Sequence, residues 1–253
     1  MEPLKKKDAG EVKPIALVIP FEPKLYMSEI DQNVSKESKL NAKQIRYAFR
    51  SGLDYMVVAE FKKMYSVVSL MSDTSHSLLD QRYIYESIGY KYEVVPAENG
   101  TIQKDNLAES DKVKNGQLTV VTNDQRKFMN TKITNPNLLP VLHKKYGADV
   151  FIFINELDIK LSADNSGRTN GNGSYERTVA VHYSIYDVNG NLLNAGLVAK
   201  NFPSATNDVK KIVNGYFNEV AGTMYHNYVT ATTSKKTNDK GALKWSSPEE
   251  GKK

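Results

Sequence analysis

YGADVFIFINELDIK, Tyr146 to Lys160, is the stretch on which the reading of the fold turns. Val150 to Ile154 is an unbroken apolar run of β-branched and aromatic residues, bounded by Gly147 on one side and by polar residues on the other. That composition over so short a length predicts a strand covered on both faces. After Ile154 the pattern changes to alternation, with Leu157 and Ile159 apolar against the charged Glu156, Asp158 and Lys160. The expectation is a strand that leaves a packed core and runs out into water.

The segments on either side supply what such a strand needs. Ile15 to Ile19 is apolar and lies between Pro14 and Pro20, which suits a short buried strand. The polar stretch from Phe21 to Leu40 reads as an exposed loop. Asn41 and Gln44 have capping-box spacing, and Ile45, Phe49, Leu53, Met56, Val57, Phe61 and Met64 follow at helical steps, predicting a helix over 42–64. Tyr65 to Leu70 reads as a second strand. A further helix is expected over 77–88, with Leu79, Tyr83, Ile84 and Ile88 on its apolar side and Gly89 as its stop.

Residues 90–134 read as an insertion containing strands at 92–95, 117–122 and 127–133, with Asn115-Gly116 as a hairpin turn. A short helix over 137–145 leads into the central strand. The Gly- and Asn-rich SADNSGRTNGNGS predicts a flexible loop. Arg177 to Tyr186 then alternates, Val179, Val181, Tyr183 and Ile185 against Ala180, His182, Ser184 and Tyr186, and returns through Asn189-Gly190 into a strand over 192–202. The last amphipathic helix spans about 207–228 and needs a sheet to cover.

These elements predict one α/β (α+β) domain over 14–228. It holds a mixed sheet of about five or six strands with two long amphipathic helices packed on it. Residues 1–13 read as a flexible N-terminal segment and 229–253 as a disordered tail.

Composition narrows the function classes. Hydrophobic residues make up 40% and charged residues 25% of the 253, ordinary for a folded chain. Most of the net charge of +5 sits at the ends, +1 in residues 1–13 and +3 in residues 229–253. The folded part is therefore nearly neutral, and no nucleic-acid partner is expected. With zero Cys there is no disulfide, thiolate metal site or cysteine nucleophile. The opening MEPLKKKDAG has no apolar stretch behind its lysines and is not expected to act as a secretory signal.

Few residues suggest chemistry. Asn155, Glu156, Asp158 and His182 form the one polar set that neighbouring strands could bring together for acid-base work; alternating charge at a strand end is more commonly a solvated face. His76, His143, His182 and His226 follow no zinc-binding spacing. Gly167, Gly171 and Gly173 lack the following helix and Lys-Ser/Thr pair of a phosphate loop. Asp149 suits a turn or cap ahead of the central strand. Tyr83, Tyr85, Tyr90 and Tyr92 cluster, and Trp245 stands alone in the tail; these are the candidate interaction residues.

The opening IALVIPF, the long helix, YGADVFIFINELDI, the hairpin VAVHYSIYDVNGNLLNAG and the closing helix together resemble the α/β domain of bacterial envelope lipoproteins. That group includes the curli-export lipoprotein, the amino-terminal domain of TolB and the lipoprotein activators of penicillin-binding proteins. Gly147, Ala148 and Asp149 match the phrase that enters the group's central strand, and Asp187, Asn189 and Gly190 match the turn joining its last two strands. The chain is also similar to uncharacterised envelope proteins of Bacteroidetes-type bacteria. Residues 90–134 depart from the pattern, as does the lack of a lipidated Cys.

What the resemblance implies is a non-catalytic accessory protein of the periplasm or outer membrane. Its partners would be other envelope proteins or further copies of itself, its membrane contact a lipid anchor, and it would need no cofactor. The rival reading is a small-ligand-binding protein or hydrolytic enzyme built on Glu156, Asp158 and His182.

Overall fold

A computed structural model describes residues 13–72, 77–94, 113–114, 117–118, 127–161 and 176–241, the last eight of these and the four of 113–118 as backbone only. In chain order the elements are β1 (Ile15–Ile19), a 3-10 turn (Pro23–Leu25), β2 (Tyr26–Ser28), α1 (Asp31–Ser38), α2 (Ala42–Phe61), β3 (Ser66–Ser69), α3 (Ser77–Glu86) and β4 (Ile88–Val94). Then come β5 (Val113–Lys114), β6 (Gln117–Leu118), β7 (Lys127–Ile133), α4 (Leu138–Tyr146), β8 (Val150–Leu161), β9 (Glu176–Asp187) and β10 (Leu192–Pro203). The closing helix begins as α5 (Val209–Lys211), widens into a π turn (Ile212–Phe217) and continues as α6 (Asn218–Gly241).

The main sheet has the order β10-β9-β8-β1-β3, with β2 added beside the outer half of β8. β1 runs parallel to β3 and β8, whereas β8, β9 and β10 form an antiparallel meander. β8 is the spine of this mixed sheet, as expected, and Phe151 to Asn155 are all at most 2% exposed.

One face of the sheet is apolar from end to end. Ala16, Val18, Val150, Ile152, Ile154, Leu157, Ile159, Val179, Val181, Tyr183 and Ile185 meet the stripes of α2 and α6 there. Aromatic contacts join the two helices, Phe49 to Phe217 at 5.5 Å and Phe61 to Tyr225 at 5.4 Å between ring centroids. α2 starts at the predicted capping box, in which Asn41 and Gln44 exchange side-chain and backbone bonds, both 2.9 Å. Asp149 turns out to hold the start of β1, accepting from the Ile15 N–H at 3.3 Å. Gly147 closes α4 with φ +67°, and Gly190 turns β9 into β10 with φ +80°, both in the left-handed region open to glycine.

The opposite face is half apolar and half polar. Leu17, Ile19, Phe151 and Phe153 pack against Ile84, Ile88 and the Leu138, Leu139 and Leu142 stripe of α4. Over the rest of that face lies the β4–β7 ribbon, paired antiparallel from Ile88↔Ile133 to Val94↔Lys127.

Several expectations are corrected. The stretch 21–40 is not a loop: it forms the 3-10 turn, β2 and α1, and sends Phe21, Tyr26, Ile30 and Val34 into the helix-side core. α1 carries a single buried apolar residue, Val34, too sparse a signal for a periodicity argument. α3 stops at Glu86, Gly89 lies inside β4, and Leu79 is 73% exposed while Ser77, Gln81 and Ile84 are buried. Helical backbone continues past 228 to Gly241. Most importantly, β8 stays largely buried through Ile159 because the ribbon covers it, and only Lys160 and Leu161 at its end are exposed. The loop 162–175 with its three glycines, the Asn115-Gly116 turn, His76 and Trp245 lie outside the described residues.

Close helix approach at Gly52 is the constraint on the α2 side. A Cβ there would stand 2.6 and 2.8 Å from the methyl carbons of Val213, in the π turn. In an open helix Gly→Ala stabilises by up to ~1 kcal/mol. Here overpacking reverses the sign, so Gly52→Ala is expected to cost about 1–3 kcal/mol in chemical denaturation. Val213→Ala in the same chain should recover most of that loss, an outcome that additive effects would not produce.

Candidate functional site

The polar set seen in the sequence does assemble, and a β-bulge assembles it. The register of β8 against β9 shifts between Ile154 (opposite Tyr183) and Glu156 (opposite His182), leaving Asn155 as the extra residue. Before the bulge the even positions Val150, Ile152 and Ile154 face the helices; after it the odd positions Leu157 and Ile159 do. Asn155, Glu156 and Asp158 thereby join His182 and Ser184 on the ribbon side. The bulge falls where β8 exchanges its other neighbour, β1 pairing up to Phe153 and β2 starting at Leu157.

On that side β7 lies across the sheet, and its edge away from β4 is bonded to side chains of the sheet. The Met129 N–H donates to His182 Nδ1 at 2.7 Å and the Thr131 N–H to Ser184 Oγ at 3.0 Å. Asn155 Nδ2 donates to the Met129 carbonyl at 2.7 Å and to Ser184 Oγ at 2.8 Å, while Asn155 Oδ1 accepts from Thr131 Oγ1 at 2.6 Å. Tyr186 donates its hydroxyl to the Thr131 carbonyl at 2.5 Å. Asn130 accepts from Ser184 Oγ at 2.7 Å and donates to Glu93 Oε2 at 2.9 Å, tying the ribbon's two strands to the sheet. Asn130 and Thr131 are fully buried, so these bonds replace water that the groups have lost.

Next to this inlay sit the ionisable groups. Glu156, Asp158 and His182 each place a ligand-type atom within 4.8 Å of the others. Tyr92, from β4, donates to Glu156 Oε2 at 2.9 Å and meets the His182 ring edge-on, 6.4 Å between centroids. Burial, and secondarily Asp158 beside it, pushes the Glu156 carboxyl up to about 7. Asp158 Oδ2 accepts from Lys160 at 3.0 Å, while the buried Oδ1 has no partner among the described residues. A proton retained on Glu156 therefore has an acceptor two residues along the strand.

Burial pushes His182 down to about 4, so the ring is neutral at pH 7. Because Nδ1 accepts a hydrogen bond, the single proton of the neutral ring sits on Nε2. That tautomer decides what the cluster can do chemically. A base needs a free lone pair, and both nitrogens of His182 are engaged, one as acceptor and one as N–H. The same argument opposes His182 as a metal ligand, and leaves Glu156 and Asp158 as oxygen donors for a divalent cation.

The four tyrosines separate. Tyr92 is 54% exposed and belongs to the carboxyl cluster. Tyr90 and Tyr83 pack against the second core, Tyr83 accepting from Asn135 Nδ2 at 3.2 Å. Tyr85 donates to the Pro20 carbonyl at 2.6 Å and accepts from Arg50 at 2.7 Å. Arg50, Asp54, Asn130 and Thr131, all buried, were not singled out by motif reasoning; the signal available was polar residues inside otherwise apolar helix and strand patterns.

The buried pair implies a measurable pH dependence. Glu156 titrates near its ordinary 4.5 when unfolded and at about 7 when folded, so the folded state holds the extra proton and loses stability as pH rises between those values. Glu156→Gln keeps the Tyr92 acceptor and cannot ionise. The stability difference, variant minus parent, is expected to grow from pH 4.5 to 7 by roughly 1–3 kcal/mol and then level off. Thermal melts of both proteins across that range check it; a difference that shrinks with rising pH would exclude the shared proton.

No known protein-family model matches the chain, and no curated protein sequence does. Among solved structures it is similar to the lipoprotein GNA1162 from Neisseria meningitidis, at 14% identity over 82% of this chain and 98% of that one, with a TM-score of 0.30. It is similar too to the hypothetical protein CT253 from Chlamydia trachomatis, at 9% identity over 91% and 97% of the two chains, with a TM-score of 0.35.

Proposed function

We propose that this chain is a non-catalytic accessory protein of the bacterial cell envelope that acts by protein–protein assembly. The observation that carries the reading is the edge of the main sheet. β10 is a 12-residue strand that pairs with β9 alone among the described residues. A long strand edge presents a row of backbone donors and acceptors, the template used when another chain adds a strand. Its protection is modest and lies in its last third: Lys200, facing Glu219 at 3.8 Å, and Pro203 at the end.

Two further features support the reading. The polar cluster that would serve an enzyme spends its bonds on holding the ribbon, with the His182 acceptor nitrogen committed to a backbone N–H. The segments that carry the likeness to envelope lipoproteins also stand where that likeness requires: Gly147 to Asp149 lead into the central strand, and Asp187 to Gly190 join the last two strands. No helix among the described residues is long and apolar enough to cross a membrane; the membrane contact under this reading is the lipid anchor that the resemblance implies.

A photo-crosslinking side chain at Ala199, exposed on β10, tests the edge in intact cells of the source bacterium. A discrete adduct is expected from that position and not from Tyr47, which is 63% exposed on α2. The adduct should fractionate with the envelope. Equal labelling from both positions, or recovery in the cytosol, would overturn the proposal.

A further inference from the structure

Arg50 is 8% exposed and is paired with no carboxylate among the described residues. Its Nε donates to the Phe21 carbonyl at 2.7 Å, and its Nη2 to Gln81 Oε1 and to the Tyr85 hydroxyl, both at 2.7 Å. Those acceptors are neutral: with the Phe21 ring 5.9 Å from the guanidinium carbon they satisfy the N–H groups, but no carboxylate stands in direct contact with the charge among the described residues, which is costly at such burial. The remaining nitrogen, Nη1, donates to no described residue. Asp54, one helical turn along α2, lies beyond ion-pair distance, and its Oδ2 is occupied by Ser69 at 2.6 Å.

Arg50 also lines a groove of about 400 Å³ between the 3-10 turn and α3. Pro23, Leu78 and Tyr85 supply an apolar wall. The rim charges cancel one another, Lys24 with Glu22 at 2.8 Å and Arg82 with Glu86 at 2.8 Å. An entering anion would therefore meet one dominant cation, the buried Arg50. That volume is at the lower end of small-molecule sites, roughly 300–1,000 Å³.

We propose that this groove binds a carboxylate with a short apolar body, the carboxylate on Arg50 Nη1 and the body against Leu78 and Pro23. With the other donors of the guanidinium fixed by Phe21, Gln81 and Tyr85, the two-pronged grip that favours a phosphate is not on offer, and a single-nitrogen contact suits a monoanion. A free short-chain acid and the C-terminal residue of a peptide share this chemistry. The site is separate from the β10 edge and stands or falls independently of the assembly reading.

The test is an NMR titration of the full chain, following the Arg50 Nε–H and the backbone amides of Gln81 and Tyr85. Sodium hexanoate, acetyl-leucine and their neutral amides are the probes. Saturable shifts are expected with an acid and, for its amide, binding weaker by about tenfold or more, the loss of one charged contact. A lead for acetyl-leucine assigns the groove to peptide termini, and a lead for hexanoate to free acids. Leu78, 74% exposed at the mouth, can be changed without disturbing the fold. Leu78→Glu and Leu78→Lys lose the same apolar contact and differ in the charge at the mouth, so the Lys variant should bind the acids about five- to twentyfold more tightly than the Glu variant and the amides equally. No saturable shift with either acid, amides that bind as well as acids, or Leu78→Lys and Leu78→Glu proteins that bind the acids equally would overturn the proposal.

Discussion

The structure depends on how one strand edge is satisfied. β7 bonds β4 on one side and on the other pairs with no strand among the described residues, yet it is buried against the face of a sheet. An unpaired backbone donor in such a place costs about as much as several net hydrogen bonds contribute. The solution is a row of side chains standing up from β8 and β9: His182 and Ser184 accept from β7 N–H groups, while Asn155 and Tyr186 donate to its carbonyls. These residues are polar because the edge above them is polar. The bulge at Asn155 makes this possible, since without it Glu156 and Asp158 would point into the apolar helix-side core.

Where the sequence was legible follows from the same division. The helix side is a matter of periodicity, and the stripes of α2 and the closing helix, the apolar heart of β8 and the alternation of β9 all read correctly. The ribbon side is a matter of pairing between β8 and residues over twenty positions away, which no local pattern reports. Glu156 and Asp158 looked like a solvated strand end because alternation with charge ordinarily means one wet face. The clue was parity: apolar residues at 150, 152 and 154 and then at 157 and 159 cannot share a face without an inserted residue. The site's members Asn155, Glu156, Asp158 and His182 were recognisable as a set, whereas Tyr92 had been grouped with a separate tyrosine cluster. Its approach to Glu156 exists only once the ribbon has folded back.

Two kinds of buried polarity coexist. In the inlay nearly every donor has an acceptor, and the result is a rigid, structural network. Around Arg50 and Asp54 the accounts stay open: a guanidinium with an uncommitted nitrogen, and a carboxyl that burial pushes up to about 6 with its Oδ1 unpartnered among the described residues. Interiors tolerate such residues poorly, and a buried cation without a direct ion-pair partner beside a groove is what a binding site retains and a purely structural network eliminates.

The inlay also explains why this layer is not simply apolar. A ribbon resting on a greasy face could slide by two residues and keep the same side chains inward, at small cost in buried area. Met129 and Thr131 are two apart, as are His182 and Ser184, so the bonds Met129 to His182 and Thr131 to Ser184 form together in one register. A slip of two that hands the Thr131 N–H to Tyr186 meets a hydroxyl that already serves a carbonyl, and it takes the Met129 carbonyl away from Asn155. A slip of one would turn Phe128 and Asn130 to opposite faces. Directional bonds thus select a single placement that area alone would leave degenerate, and they hold Tyr92 where it can reach Glu156.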